Sequence, residues 1–203
     1  NLLKSFSFAD FLKIIKSKPV SLIKIYQANP GNFNLNAPDQ LGETILLEAL
    51  SDGNPNQDRV KLVLSIIEAG ADLNKANSIT DEKPLERLIK TITMHDQVES
   101  TEQAELLEYI IRKLASDPNA LKKSIQESSK SIVDASHNFS SKTLKMFCDA
   151  GLDVSLRMTI DAIAYGKTLA TNAQEDLVEW IIKKSEPSSL SAIIFEYHRS
   201  TSE

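Results

Sequence analysis

Cysteine is nearly absent from this chain of 203 residues: Cys148 stands alone. An internal disulfide framework is therefore excluded, and reducing surroundings fit the composition. Aromatic residues make up only 6% of the chain, and strictly alternating runs of β-branched or aromatic residues are missing. A sheet fold is not expected from such a sequence. Gly31, Gly42, Gly53, Gly70, Gly151 and Gly166 are scattered near turns and helix ends, so no glycine-rich phosphate loop exists. No nucleophile elbow is present. No apolar run reaches membrane-spanning length, and no cleavable signal is visible. Positive charge is not in excess. The net charge of -5 argues against a general nucleic-acid or membrane-surface binder.

What is present is ordinary for a folded protein: 25% charged and 41% hydrophobic residues. The length suits one extended domain or two small ones. Because the sequence starts at Asn1 rather than Met, it is expected to be a piece of something longer. Charge is uneven along it. Residues 1–38 carry five lysines and one aspartate, whereas residues 39–117 carry sixteen acidic and eight basic side chains. The acidic middle is either a solvated helical surface or a selector for a basic partner.

Apolar spacing points to helices throughout. The clearest is Val60–Ala69, with Leu62, Val63, Ile66 and Ile67 on one stripe and Gly70 as a left-handed stop. Helices are also expected over 6–17, 20–28, 44–50, 103–115, 121–136, 143–150, 159–165, 174–184 and 190–197. Asp81-Glu82-Lys83-Pro84 reads as the acidic first turn of a helix carrying Leu85, Leu88 and Ile89. Asp117-Pro118 reads as the close of the 103–115 helix. Short and longer helices alternate, and corresponding points recur: Asn34 to Asn74 is 40 residues, Asp72 to Asp117 is 45, and Asp117 to Asp153 is 36. Recurrence at such periods means stacked repeats, since one helix pair cannot bury its own apolar face.

At this point the residues resemble the ankyrin repeat family. Gly42-Glu43-Thr44-Ile45-Leu46-Leu47-Glu48-Ala49 follows its opening motif, with Ile45 in place of proline and Leu47 in place of histidine. Leu62-Val63-Leu64-Ser65-Ile66-Ile67 fills the middle, and Gly70-Ala71-Asp72-Leu73-Asn74 matches the close. Lys83-Pro84-Leu85-Glu86-Arg87-Leu88 is a weaker opening, and Gly151-Leu152-Asp153-Val154 a degraded close. The resemblance implies an all-α fold, an ankyrin-like helical-repeat solenoid with irregular, insertion-containing repeats. Residues 1–203 would form a single array of five helix pairs or partial pairs, with a C-terminal cap near 187–197. Segments 54–58, 93–102 and 126–130 read as insertions between paired helices. Another α-solenoid is the alternative architecture. Degenerate arrays of this kind resemble those that intracellular bacteria deliver into host cells. The implied location is cytoplasmic or, for such an effector, secreted into the host cell.

Chemistry is hard to find. His95, His137 and His198 form no H-E-x-x-H pattern, so neither a metal nor a cofactor is expected. Cys148 as a nucleophile would need a base such as His137, and with Met146 and Phe147 beside it helix packing is the better reading. Trp180 reads as partly buried in the stack or against a neighbouring domain rather than as a partner anchor.

No catalytic residue is assigned, and the fragment is read as non-enzymatic. The expected function is protein recognition through the short-helix face and loop tips. Carried over from the resemblance, the candidates are Asp39, Gln40 and Glu43 at one tip with Glu48 on its helix. At the next they are Ser78, Thr80, Asp81 and Glu82 with Arg87, and Arg157 and Tyr165 extend the surface. The partner would be a protein, such as a eukaryotic host protein with a basic patch. Two other readings stand beside this one: a non-catalytic repeat region positioning substrate for an attached enzymatic domain, and a purely structural spacer.

Overall fold

The computed structural model describes residues 34–51, 57–93 and 99–152, with the isolated positions 179, 180, 183 and 191. The helices expected over 6–17, 20–28 and 159–165, and nearly all of those over 174–184 and 190–197, lie outside the described residues. Every regular element among the described residues is a helix. The chain divides into two compact units. Asn1–His95 and Ser100–Lys113 form the first, and Asp96–Glu99 and Leu114–Glu203 the second.

The first unit opens on α1, Ile45–Leu50. Thr44 caps it, its Oγ1 accepting from the Leu47 N–H at 3.3 Å. Six residues are too few to hold a helix alone, so packing holds this one. Ile45, Leu46, Leu47, Ala49 and Leu50 are all buried, and α1 packs against both of the following helices. The first of these is α2, Gln57–Glu68, which buries the predicted stripe of Leu62, Val63, Ile66 and Ile67 together with Val60. Arg59 reaches back from α2 to the last turn of α1. Its Nε donates to the Ala49 carbonyl at 2.7 Å and its Nη2 to the Glu48 carbonyl at 3.1 Å. Both are carbonyls of the last turn, and the Glu48 carbonyl also accepts the Ser51 N–H.

Gly70 stops α2 as its position predicts, with φ at +101°. The Gly70 N–H donates to Ile67 and the Ala71 N–H to Ile66, the paired reverse bonds of a left-handed cap. The same two bonds recur at Gly151 and Leu152, so the echo between the two glycine stops is structural as well as textual.

The next helix, α3, is Pro84–Thr93. Asp81, Glu82 and Lys83 precede it rather than forming its first turn. Pro84 is the first helical residue, where a missing N–H costs nothing, and Asp81 sits in the left-handed region at φ 58°. The helix α4, Thr101–Leu114, begins earlier than its apolar stripe suggests. A reciprocal capping box sets its start: Ser100 Oγ accepts from Gln103 N at 3.2 Å, and Gln103 Oε1 accepts from Ser100 N at 2.8 Å. Leu85, Leu88, Ile89 and Ile92 from α3 and Leu106, Leu107, Ile110 and Ile111 from α4 are buried core residues.

The second unit corrects the reading of Asp117-Pro118. These residues begin a helix, α5, Pro118–Glu127. Asp117 Oδ1 accepts from the N–H groups of Asn119 and Ala120 at 3.0 and 3.1 Å. The segment expected as one helix over 121–136 is broken at Ser128, and α6, Ser129–Ala135, follows. A 3-10 turn over Ser136–Asn138 leads to α7, Ser141–Asp149, capped by Ser140. Phe147 is fully buried, its ring centroid 5.4 Å from that of Phe139.

Candidate functional site

The candidate surface is built from two loops that repeat one hydrogen-bond scheme. Asn34 Oδ1 accepts from Asn36 N at 3.0 Å, and Asp72 Oδ1 accepts from Asn74 N at 2.8 Å. In both turns the third residue on, Ala37 or Lys75, donates its N–H to the first residue's carbonyl. Leu35 and Leu73 then fall at the same turn position, and both are buried. The register is therefore Asn34 with Asp72, 38 residues apart, rather than Asn34 with Asn74. The two turns are also joined, since the Asp72 N–H donates to Asn36 Oδ1 at 2.8 Å.

The tips start on the same register, but the second is one residue longer: the Asp39 N–H donates to the Glu43 carbonyl, whereas the Asn77 N–H donates to the Glu82 carbonyl. Asp39 Oδ1 accepts from the N–H groups of Leu41 and Glu43, both at 2.8 Å. Asn77, 38 residues later, takes the equivalent place: its Oδ1 accepts from Ile79 N at 2.7 Å and Thr80 N at 2.9 Å. Each loop then turns through one residue at positive φ, Gly42 at 77° and Asp81 at 58°. The second tip lies against the first. Ser78 N donates to the Gly42 carbonyl at 3.1 Å, and Asn77 Nδ2 donates to the Leu41 carbonyl at 3.3 Å. Gly42 makes this approach possible. A Cβ there would lie 2.7 Å from Asn77 Oδ1 and 2.8 Å from Ser78 Oγ.

Beneath the tips lies a charged cluster. Arg87 on α3 donates from Nη2 to Glu43 Oε1 at 2.7 Å, from Nη1 to Ser51 Oγ at 2.6 Å, and from Nε to Glu82 Oε2. Glu43 Oε1 also accepts from Asn77 Nδ2 at 3.0 Å. Lys90 contacts Glu82 at 2.9 Å and Glu86 at 3.0 Å. The Glu43, Glu82 and Arg87 side chains are only 15%, 11% and 17% exposed, so they act largely out of water. Burial works against the Arg87 charge, but Glu43 and Glu82 outweigh it and hold the guanidinium above its ordinary value. Burial likewise opposes the Lys90 charge, and Glu82 and Glu86 raise its pKa despite it.

The sequence-predicted residues therefore separate into two groups. Glu43, Glu82 and Arg87 are brought together beneath the tips and bind one another. Gln40, Ser78, Thr80 and Asp81 stand exposed at the tips, and Asp39 is half-buried in its turn. Glu48 is half-buried on α1. Arg157 and Tyr165 lie outside the described residues. Sequence reasoning missed Asn77, Ser51 and Lys90, and it missed Leu41 and Ile79, which are 70% and 69% exposed. Asn77 had a signal in its spacing from Asp39. The pair of Glu43 with Arg87 had none, because the two are 44 residues apart, whereas Glu86 and Lys90 stand one helical turn apart.

Among the described residues no group of three or more His, Cys, Asp or Glu side chains is arranged to hold a metal ion. No described helix is long and apolar enough to cross a membrane. Comparison with protein-family models, curated proteins and solved structures finds no match in any of the three.

Proposed function

We propose that the chain is a protein-recognition module, an ankyrin-like helical repeat that meets its partner through loop tips and the adjoining short helices. The observation that carries this reading is the pair of consecutive loops that open on the same side-chain-to-backbone hydrogen bond, 38 residues apart, each leading into a helix. A repeated loop on a helical frame presents a row of side chains whose identities are free to vary while the frame stays fixed. Gln40, Ser78, Thr80 and Asp81 are placed for such contacts. Glu43, Glu82 and Arg87 contribute by holding the two tips in register. Contacts of this kind give specificity, while affinity comes from a few buried anchors.

Affinity capture from a eukaryotic-cell lysate tests the reading. The chain is compared with a tip variant carrying Gln40→Ala, Ser78→Ala, Thr80→Ala and Asp81→Asn. Those positions lie outside the Arg87 cluster, so the variant is expected to melt with the parent. A stoichiometric partner retained by the parent and lost by the variant supports recognition at the tips. Equal retention by both, or no stoichiometric partner from several lysates, counts against it.

A further inference from the structure

Leu41 and Ile79 have no evident use in folding. They are the large apolar side chains that stand exposed among the described residues, at 70% and 69%. Each occupies the same place in its loop, two residues beyond the Asp39 or Asn77 whose side chain accepts its backbone N–H. The tips use only backbone groups of these two residues, that N–H and at Leu41 also the carbonyl that Asn77 Nδ2 donates to, which any non-proline residue would supply. A polar side chain would serve the turn equally well and avoid leaving apolar surface in water. Isolated exposed leucines are common on protein surfaces. Two at equivalent positions of turns that hydrogen-bond to each other are a pattern.

Resting on the recognition reading above, we infer that Leu41 and Ile79 form the anchor site for an extended partner segment. That segment carries an aliphatic or aromatic side chain next to a lysine or arginine. The apolar half follows from the two side chains, each exposed on one of two turns that hydrogen-bond to each other. The cationic half follows from charge. Asp81 stands exposed on the same loop as Ile79, in a left-handed conformation that the equivalent position of the first loop gives to glycine. Glu43 and Glu82 below are occupied by Arg87 and Lys90, which leaves Asp81 as the exposed carboxylate beside Ile79, and a carboxylate placed there favours a cation. Both loops are fixed by their own hydrogen bonds, so docking orders little of this chain.

The test uses a displayed library of random short peptides selected against the whole chain. Selected peptides are expected to pair an aliphatic or aromatic residue with a lysine or arginine. Their affinity is expected to fall about tenfold in the Leu41→Ser/Ile79→Ser variant. It is also expected to weaken in Asp81→Asn and with added salt. Both positions are exposed, so the melting temperature of the double variant stays that of the parent. Selection of no peptide, selection of peptides lacking a cation, or binding indifferent to the double variant would each overturn the inference. Concentration-dependent self-association abolished by Leu41→Ser/Ile79→Ser would also overturn it, assigning the pair to a second copy of this chain. Binding that ignores this variant but is lost with Gln40→Ala, Ser78→Ala and Thr80→Ala removes the anchor and leaves the recognition reading intact. Binding indifferent to every tip substitution removes both.

Discussion

Single residues decide whether the two tips fit together. Gly42 and Gly70 both have positive φ, yet they do different work. Nothing lies within 4 Å of a Cβ built at Gly70, so Gly70→Ala meets only the left-handed strain, about 1 kcal/mol. Gly42→Ala adds a collision with Asn77, Ser78 and the Ile79 backbone, and is expected to lose roughly 3 kcal/mol or more. Urea unfolding of the two variants measures the difference. Asn77 offers a second contrast. Asn77→Asp keeps the acceptor for Ile79 and Thr80 but turns the donor facing Glu43 Oε1 into a second carboxylate oxygen. It is therefore expected to destabilise the fold in spite of Asp39 standing at the equivalent place. The loss should be about 2 kcal/mol. Equal stability of Asn77→Asp and the parent would remove Asn77 from the link between tips.

At the scale of elements, charge fixes what the helices alone would leave loose. Arg87 ties α3 to Glu43 before α1, to Ser51 after it, and to Glu82 on its own approach. Arg87→Met removes the guanidinium from two mostly buried carboxylates, leaving Glu43 with Asn77 and Glu82 with Lys90, and is expected to cost about 3 kcal/mol. Arg87→Lys should recover only part of that, since one ammonium cannot reproduce the planar fork. Thermal melts of the two variants check the order.

Glu99 plays a comparable part in the second unit. Its Oε2 accepts from Ser140 N at 3.1 Å and from Thr143 Oγ1 at 2.7 Å. Its Oε1 is buried with no hydrogen-bond partner among the described residues. Burial raises its pKa above the ordinary 4.5, while the bonds from Thr143 and Ser140 pull it down. A carboxyl raised in this way binds its proton more tightly folded than unfolded. Its contribution therefore improves as pH falls from the raised value towards 4.5 and is poorer above that window. Glu99→Gln is expected to melt at or above the parent at neutral pH, with the gap closing in acid. A Glu99→Gln variant less stable than the parent at neutral pH would contradict this account.

Much of this level was legible in the sequence. The stripe of α2 is local, and Gly70 follows it directly, so spacing alone located both. Thr44 and the residues of α1 were legible for the same reason. The start of α4 was legible too, in the S-x-x-Q box at Ser100, but the apolar stripe drew attention three residues downstream. Asp117-Pro118 was misassigned because a helix stop and a helix start use the same residue types. Only the bonds from Asn119 and Ala120 distinguish them. The Arg87 cluster was legible only in part: Glu82 lies five residues from Arg87 and Glu86 one turn from Lys90, whereas Glu43 and Ser51 are distant in sequence and near only in the folded chain.

For the whole molecule, the charge balance does not assign a role to each acidic residue. Reversing Glu43 or Glu82 would disturb the frame, whereas changing Asp81 alters an exposed tip. The central claim is that the tips at 39–43 and 77–82 meet a protein partner. Amide hydrogen exchange of the chain with and without its captured partner tests this most directly. The account predicts added protection over both tips and the start of α3. Protection confined to other segments, with the tips exchanging as in the free chain, would contradict it.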